Sequence, residues 1–261
     1  MKSSNNSILI TGGTSGIGFE LANQFLRLRN TVIITGRDPS RLDAAKTKLP
    51  GVHTFQSDAS DPKAIAILFE QVTQEFPDLN VLINNAGIMR KINLNDQGNL
   101  SEDLSREIET NLKGPIRMVQ QFLPHLRKKE NAAIMNVSSA LAFVPLPVSP
   151  VYCAAKAGLH SFTLSLRVQL KNTRVKVFEL APPATQTDML GGFHADDLKG
   201  TSIMGVVEMV QRAIKGFEND EMEIRPGPSN TLKLMGRIAP QFILNQLSKP
   251  VDRMLAESNK S

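Results

Sequence analysis

Short, unbroken apolar runs alternate along this chain with longer stretches in which apolar residues recur every three or four positions. The short runs fall at residues 8–10, 32–34, 52–55, 81–83, 132–137 and 175–180. They are rich in Val, Ile and Leu and show no clean polar alternation. Strands buried on both faces look like this, so the runs predict a parallel sheet covered by helices. The periodic stretches predict helices over residues 18–29, 40–49, 61–76, 101–129, 151–170 and 203–217. Strand and helix alternate repeatedly, which predicts the α/β class. The expected architecture is a Rossmann-type doubly wound parallel sheet with helices on both faces, in a single domain spanning residues 1–261.

Two segments depart from the rhythm. Residues 188–218 open with a polar, glycine-bearing stretch holding Gly191, Gly192, Phe193, Asp196, Asp197 and Gly200. A loop there lies beyond the carboxyl end of the sixth strand, where such sheets bind ligands, and is expected to be a substrate lid hinged at Gly191-Gly192. Residues 226–256 begin with Pro226-Gly227-Pro228 and continue as an amphipathic helical tail, expected to pack on the core or on a partner subunit.

Composition narrows the function classes. With 41% hydrophobic and 21% charged residues the chain is of ordinary globular make-up. The net charge of +5 is spread out, not gathered in a groove, so no nucleic-acid partner is expected. Cys153 is the single cysteine, which excludes an internal disulfide; His53, His125, His160 and His194 lack metal-ligand spacing, so no metal is expected. The longest uncharged stretch, 131–155, contains Pro145, Pro147 and Pro150, which a spanning helix disfavours. The first seven residues are polar and unlike a secretory leader, so a cytoplasmic protein without a membrane partner is expected.

The chemistry begins at Thr11-Gly12-Gly13-Thr14-Ser15-Gly16-Ile17-Gly18, which follows the first strand and opens the first helix. Glycines allow a tight turn and close approach of phosphate to backbone, and the helix N-terminus offers free N–H groups. Tyr152, the only tyrosine, stands four residues before Lys156 on a predicted helix, so the two share a face. A free phenol titrates near pH 10; a neighbouring ammonium is expected to lower that value and make Tyr152 a general acid or base. By itself such a pair is commonly a solvated helix face.

The Gly-loop spacing, followed in order by Asn84-Asn85-Ala86-Gly87, Asn111, Ser139 and Tyr152-Cys153-Ala154-Ala155-Lys156, resembles the short-chain dehydrogenase/reductase family over roughly the first 190 residues. It is the short, single-domain branch that the chain resembles. The resemblance implies an NAD(P)-dependent oxidoreductase with Asn111, Ser139, Tyr152 and Lys156 as the catalytic set. Ser139 rather than Ser138 is selected because it precedes the tyrosine by thirteen residues. Lys156 would also bind the nicotinamide ribose, the positive charge of the oxidised nicotinamide would join the ammonium in lowering the Tyr152 value, and Asn111 would hold a water linking Lys156 to solvent. Gly12, Thr14, Ser15, Gly16, Ile17, Gly18, Asn85, Ala86 and Gly87, with Tyr152 and Lys156, would line the cofactor site, and Asp58-Ala59 would contact adenine.

The second strand ends Thr35-Gly36-Arg37-Asp38. An acidic residue at such a strand end binds a ribose 2′-hydroxyl, whereas an arginine accommodates a 2′-phosphate. Gly36 stands where NAD-preferring relatives usually carry Asp, so Arg37 points to NADP(H) over NAD(H), with Asp38 facing the ribose as the alternative. Pro182-Pro183 replaces the family's usual Pro-Gly, and Thr185 and Thr187 are still placed to reach the carboxamide. That variant, with Tyr-Cys-Ala-Ala-Lys-Ala and Arg237-Ile238-Ala239-Pro240, looks similar to a bacterial subgroup labelled DltE-like. Leu141–Leu146, Met189, Leu190, Phe193 and Met204 are expected to form an apolar rim suited to a hydrophobic ketone, aldehyde or secondary alcohol, with Arg90 and Lys91 as a possible clamp. The family resemblance also implies a homodimer or homotetramer formed through the helices at 101–129 and 151–171. The rival reading of the whole chain is a non-catalytic NADP(H)-sensing binding protein.

Overall fold

The apolar runs become β1 (Ser7–Ile10), β2 (Thr31–Gly36), β3 (His53–Gln56), β4 (Leu79–Asn84), β5 (Ala132–Val137) and β6 (Val175–Leu180). A seventh strand, β7 (Glu223–Ile224), is only two residues long, too short to leave a hydrophobic pattern. The computed structural model describes residues 1–95, 100–194, 197 and 200–258, apart from the side chains of 100–103 and 257–258. All seven strands pair in parallel in the order β3-β2-β1-β4-β5-β6-β7. The order reverses between β1 and β4, which opens a crevice at their carboxyl ends.

Alternate strand residues serve opposite faces. Ile8 and Ile10 join Ile34, Met135 and Phe178 in one core layer, against Leu21 and Phe25 of α1 (Gly16–Arg27) and Met209 and Phe217 of α7 (Val206–Glu218). Leu9 joins Ile33, Leu82 and Ile134 in the other. That layer packs on Ile65 and Leu68 of α3 (Pro62–Glu75), Met118 and Phe122 of α5 (Gly114–Leu126), and Leu166 of α6 (Pro150–Gln169). Helix starts follow local chemistry. Asp38 caps α2 (Pro39–Lys48) and Asp61 caps α3 by accepting backbone N–H bonds, and Pro39 and Pro62 follow as first helical residues.

The helix expected over 101–129 is three pieces: α4 (Leu100–Ile108), a π-helical turn at Glu109–Lys113, and α5. The wider turn carries Thr110 and Asn111 inward, and both are buried. Such turns occur often at functional sites.

Of the segment at 188–218, residues 195, 196 (Asp196), 198 and 199 lie outside those described. Asp188–Gly192 forms a 3-10 turn, and Met204 pairs with Thr185 in an isolated bridge. The Asp197 carboxylate, its side chain fully buried, takes Lys91 at 2.8 Å and Arg253 at 3.1 Å. That one carboxylate ties the loop after β4 to the C-terminal tail. The tail is three helices, α8 (Ser229–Ile238), α9 (Pro240–Leu247) and α10 (Lys249–Ser258). Lys233 of α8 lies 4.9 Å from the Phe143 ring centre and pairs with Glu223. Among the described residues, no helix is long and apolar enough to cross a membrane.

Candidate active site

A cavity of about 1180 Å³ runs along the crevice. Its floor is the loop Gly12–Ile17. One end is walled by Arg37, Asp38, Arg41, Asp58 and Ala59, the other by Ser139, Leu141, Tyr152, Lys156, Leu190 and residues of α8 and α9. The loop is built to receive an anion. Gly12 and Gly16 turn at φ of 66° and 55°, where a side chain would strain the backbone. Ser15, the N-cap of α1, makes no side-chain cap bond, and the first turn carries no acidic residue, so the leading N–H groups remain open to a phosphate. Asn85 holds this loop from below. Its side-chain amide donates to the Thr11 and Gly12 carbonyls at 3.0 Å each, while the Asn85 and Ala86 amides donate to the Thr11 hydroxyl. Asn85 therefore supports the cradle, and Ala86 and Gly87 line it.

At the far end of β2 the Arg37 guanidinium lies 3.9 Å from the Asp58 carboxylate, both partly exposed. Asp38 is otherwise engaged. It accepts from the Ser40 amide and hydroxyl at 2.9 and 2.7 Å and caps α2. The Ser40 hydroxyl, the Arg41 amide and the Arg41 charge hold its carboxyl below the usual range. Asp58 likewise accepts from Ser60. Arg41, which sequence reasoning passed over, lines the same end.

The other end is organised from the end of β5, by three consecutive residues. The Val137 carbonyl accepts from Lys156 Nζ at 2.8 Å, the Ser138 hydroxyl donates to Glu179, and Ser139 lines the cavity beside Tyr152. Ser139 also accepts the Leu141 amide at 3.1 Å, which fixes its rotamer at the head of a short 3-10 turn. Lys156 Nζ sits 5.7 Å from the centre of the Tyr152 ring, one helical turn along α6. The Asn111 side chain clamps Ile88, accepting its amide at 2.9 Å and donating to its carbonyl at 2.7 Å. It braces the strand-end loop beside Lys156 and does not itself touch the amine. Thr185 and Thr187 donate to the Pro183 and Thr185 carbonyls, and the Pro182 carbonyl accepts the Ala140 amide, so the Pro-Pro turn is braced on both sides.

The electrostatics correct one expectation. The phenol is not made more acidic by the chain's own groups. Burial pushes the Tyr152 hydroxyl up to about 12, with Cys153 and Glu107 adding to the rise and only the nearby Ser139 opposing it. Burial also pulls Lys156 down to about 8, against the charge of Glu179, which raises it. An ammonium aimed at a backbone carbonyl and stripped of water does less for a phenol than simple adjacency suggests.

The expected apolar rim needs correction too. Leu141, Leu146, Met189, Leu190 and Phe193 line the cavity, but Val144 and Met204 are buried in the core and Phe143 packs on His160. Lys91 is taken by Asp197, and the Arg90 amide by Glu107. Glu107, Glu179 and the tail residues Leu232, Ile243 and Leu247 were missed from the sequence. For Glu179 there was a signal: a carboxylate inside an apolar strand. Among the described residues no group of three or more His, Cys, Asp or Glu could hold a metal.

The model of the short chain dehydrogenase family matches residues 6–198. The chain belongs to that family. An uncharacterized oxidoreductase of Bacillus subtilis, DltE, is 45% identical over 229 residues, 86% of this chain and 89% of its own. The NADP-dependent 3-hydroxy acid dehydrogenase YdfG of Salmonella typhi is 34% identical over 176 residues, 67% of this chain and 71% of its own. In fold, a short chain dehydrogenase from Burkholderia cenocepacia in complex with NADP superposes with a TM-score of 0.81, covering 95% of this chain and 99% of its own at 24% identity. The resemblance read from the ordered motifs is thereby shown, and this short-chain dehydrogenase is an oxidoreductase of the DltE-like group.

Proposed function

We propose that the chain is an NADP(H)-dependent carbonyl reductase, reversible in principle, acting on a hydrophobic ketone, aldehyde or secondary alcohol. The observation that carries this reading is Tyr152 and Lys156, one helical turn apart and beside Ser139, in the wall of a cavity whose other end presents Arg37. When bound, the nucleotide supplies or accepts the hydride. Gly12, Thr14, Ser15, Gly16, Ile17 and Gly18 would hold its phosphates, Asp58 and Ala59 its adenine, and Pro182, Thr185 and Thr187 its carboxamide. Ser139 orients the substrate oxygen, and Tyr152 gives that oxygen its proton on reduction and takes it back on oxidation. Lys156 holds the ribose, and Asn111 keeps the loop at Ile88 in place.

NADP(H) is favoured because Arg37 and Arg41 line the ribose end while Asp38 is committed to capping α2. At Gly36 an acid would fit only if Thr14 shifted. A Cβ there would meet the Thr14 methyl at 2.7 Å. The substrate end suits an apolar group, with Leu141, Leu146, Val148, Phe193, Leu232 and Ile243 in its walls.

The test is oxidation of NADPH, followed by absorbance, against a panel of apolar ketones and aldehydes. Turnover on part of the panel is expected. Tight NADPH binding with no turnover on any member would overturn the catalytic reading in favour of a nucleotide-sensing protein. We also propose association through the helices around residues 101–129 and 151–171. There, Leu94, Leu104, Ile108 and Val151 line an open apolar groove. Sedimentation equilibrium should give a dimer or tetramer, and a monomer at micromolar concentration would refute it.

A further inference from the structure

The short 3-10 turn at the Ser139 position is Ala140–Ala142, with Ser139 as its N-cap and Phe143 as its C-cap. The Ala142 amide donates to the Ser139 carbonyl at 3.0 Å, and the Phe143 amide to the Ala140 carbonyl at 3.1 Å. A 3-10 turn this short has poor hydrogen-bond geometry of its own, so its ends need fixing from outside. Both ends lead to His160 on α6. Before the turn, the Ser138 hydroxyl donates to Glu179 Oε1, and His160 Nδ1 donates to Glu179 Oε2 at 2.7 Å. After it, the Phe143 ring meets the His160 ring edge-on, with centres 5.1 Å apart. Glu179 sits on β6 with its side chain fully buried, and most of the His160 side chain is covered. A buried carboxylate with a hydrogen bond on each oxygen is a stiff link, because moving either partner leaves an oxygen unpaired away from water. α6 also carries Tyr152 and Lys156, two turns and one turn before His160.

Building on the proposed function, we propose that His160 is a positioning residue for Ser139, gripping the serine's turn at both ends and so registering it against the helix that carries Tyr152 and Lys156. Every step of the grip is a contact. His160 reaches Ser138 through the two oxygens of Glu179 at the entry, and touches Phe143 directly at the exit. The Leu141 amide fixes the rotamer of Ser139, whereas His160 fixes where the turn itself stands. Ser138, Ser139 and Leu141 line the cavity; His160, Glu179 and Phe143 stand behind them, so any effect of His160 on a reaction passes through the turn. The separation of Ser139 and Tyr152 is what such a grip protects, since a misplacement of about 1 Å between reacting groups can cost on the order of a hundredfold in rate.

The test is amide hydrogen exchange at Leu141, Ala142 and Phe143 in the full-length, nucleotide-free protein, measured by NMR beside kcat for NADPH-dependent reduction. His160→Leu combined with Glu179→Met removes the buried carboxylate together with its partner, which spares the fold. Ser138 keeps the Leu180 carbonyl, at 3.4 Å, as an acceptor. In this double variant the three amides should exchange faster by about tenfold or more, while the amides of α6 keep their wild-type rates. kcat should fall by about tenfold or more with NADPH binding unchanged. His160→Asn, whose amide can donate where Nδ1 does, should recover most of both losses. Ser138→Ala cuts the same path at its other link and gives a second variant should the double one fold poorly, with the same changes expected. Wild-type exchange at 141–143 in a folded variant overturns the proposal. So does exchange quickened alike along α6, which is the mark of a merely structural role, and so does a loosened turn with wild-type kcat. Because exchange needs neither substrate nor nucleotide, a turn loosened by these substitutions in a protein whose wild type reduces nothing would refute the proposed function and leave the grip of His160 standing.

Discussion

Tyr152→Phe should lower turnover on a carbonyl substrate by about three orders of magnitude while NADPH still binds. The substitution removes one hydroxyl and leaves the ring, which packs almost fully buried on α6. The fold persists, because the ring and its packing are unchanged. What disappears is the proton for the substrate oxygen. Absorbance of NADPH under substrate and fluorescence titration without it separate the two effects. A variant retaining even a tenth of the wild-type rate would show that the proton comes from another group.

The pH profile adds a second readout. With burial holding the Tyr152 hydroxyl near 12, the phenol carries its proton throughout the neutral range, in the form reduction needs. Lys156, drawn down by burial to about 8, is the group that changes charge there. kcat/KM reports groups of the free enzyme. For reduction it should therefore be level below pH 7 and fall as pH rises through about 8, where the amine loses its charge.

Arg37→Asp should reduce the ratio of kcat/KM for NADPH over NADH by about a hundredfold or more. The guanidinium is 46% exposed and pairs with Asp58 at 3.9 Å, so its removal should leave the fold intact. A 2′-phosphate would lose a charge-assisted contact and meet two carboxylates, the new one and Asp58. A ribose hydroxyl would gain an acceptor. Gly36→Asp is the poorer experiment, because its side chain would push on Thr14 and disturb the phosphate loop at the same time. Parallel kinetics with both nucleotides decide it, and an unchanged ratio would remove Arg37 from the specificity argument.

Much of this was legible in the primary structure, for identifiable reasons. Strands buried on both faces, such as 132–137, have no alternation to misread, and the six predicted strands lie within two residues of the observed ones. Asp38-Pro39 and Asp61-Pro62 mark helix starts because a carboxylate cap and a ring without an N–H suit the same place. The cradle and the Tyr152–Lys156 pair are each local in sequence. The illegible parts depend on distant residues. The π turn at Glu109–Lys113 has no periodicity of its own. Nothing near Lys91 announces that Asp197 will claim it. The electrostatic sign at Tyr152 was misjudged because adjacency along a helix says nothing about water, and burial outweighs a neighbour whose amine is bonded elsewhere.

Helices α8 and α9 supply Leu232, Ile243 and Leu247 to the substrate end of the cavity, while the nucleotide cradle and the proton donor come from residues 12 to 187. Part of the proposed recognition surface is thus encoded apart from the proposed chemistry, with Leu141, Leu146, Val148 and Phe193 supplying the rest. A lineage could retune what it accepts by altering its last thirty residues and leave its reaction untouched, so kinship across the first three-quarters is a poor guide to what two such enzymes consume.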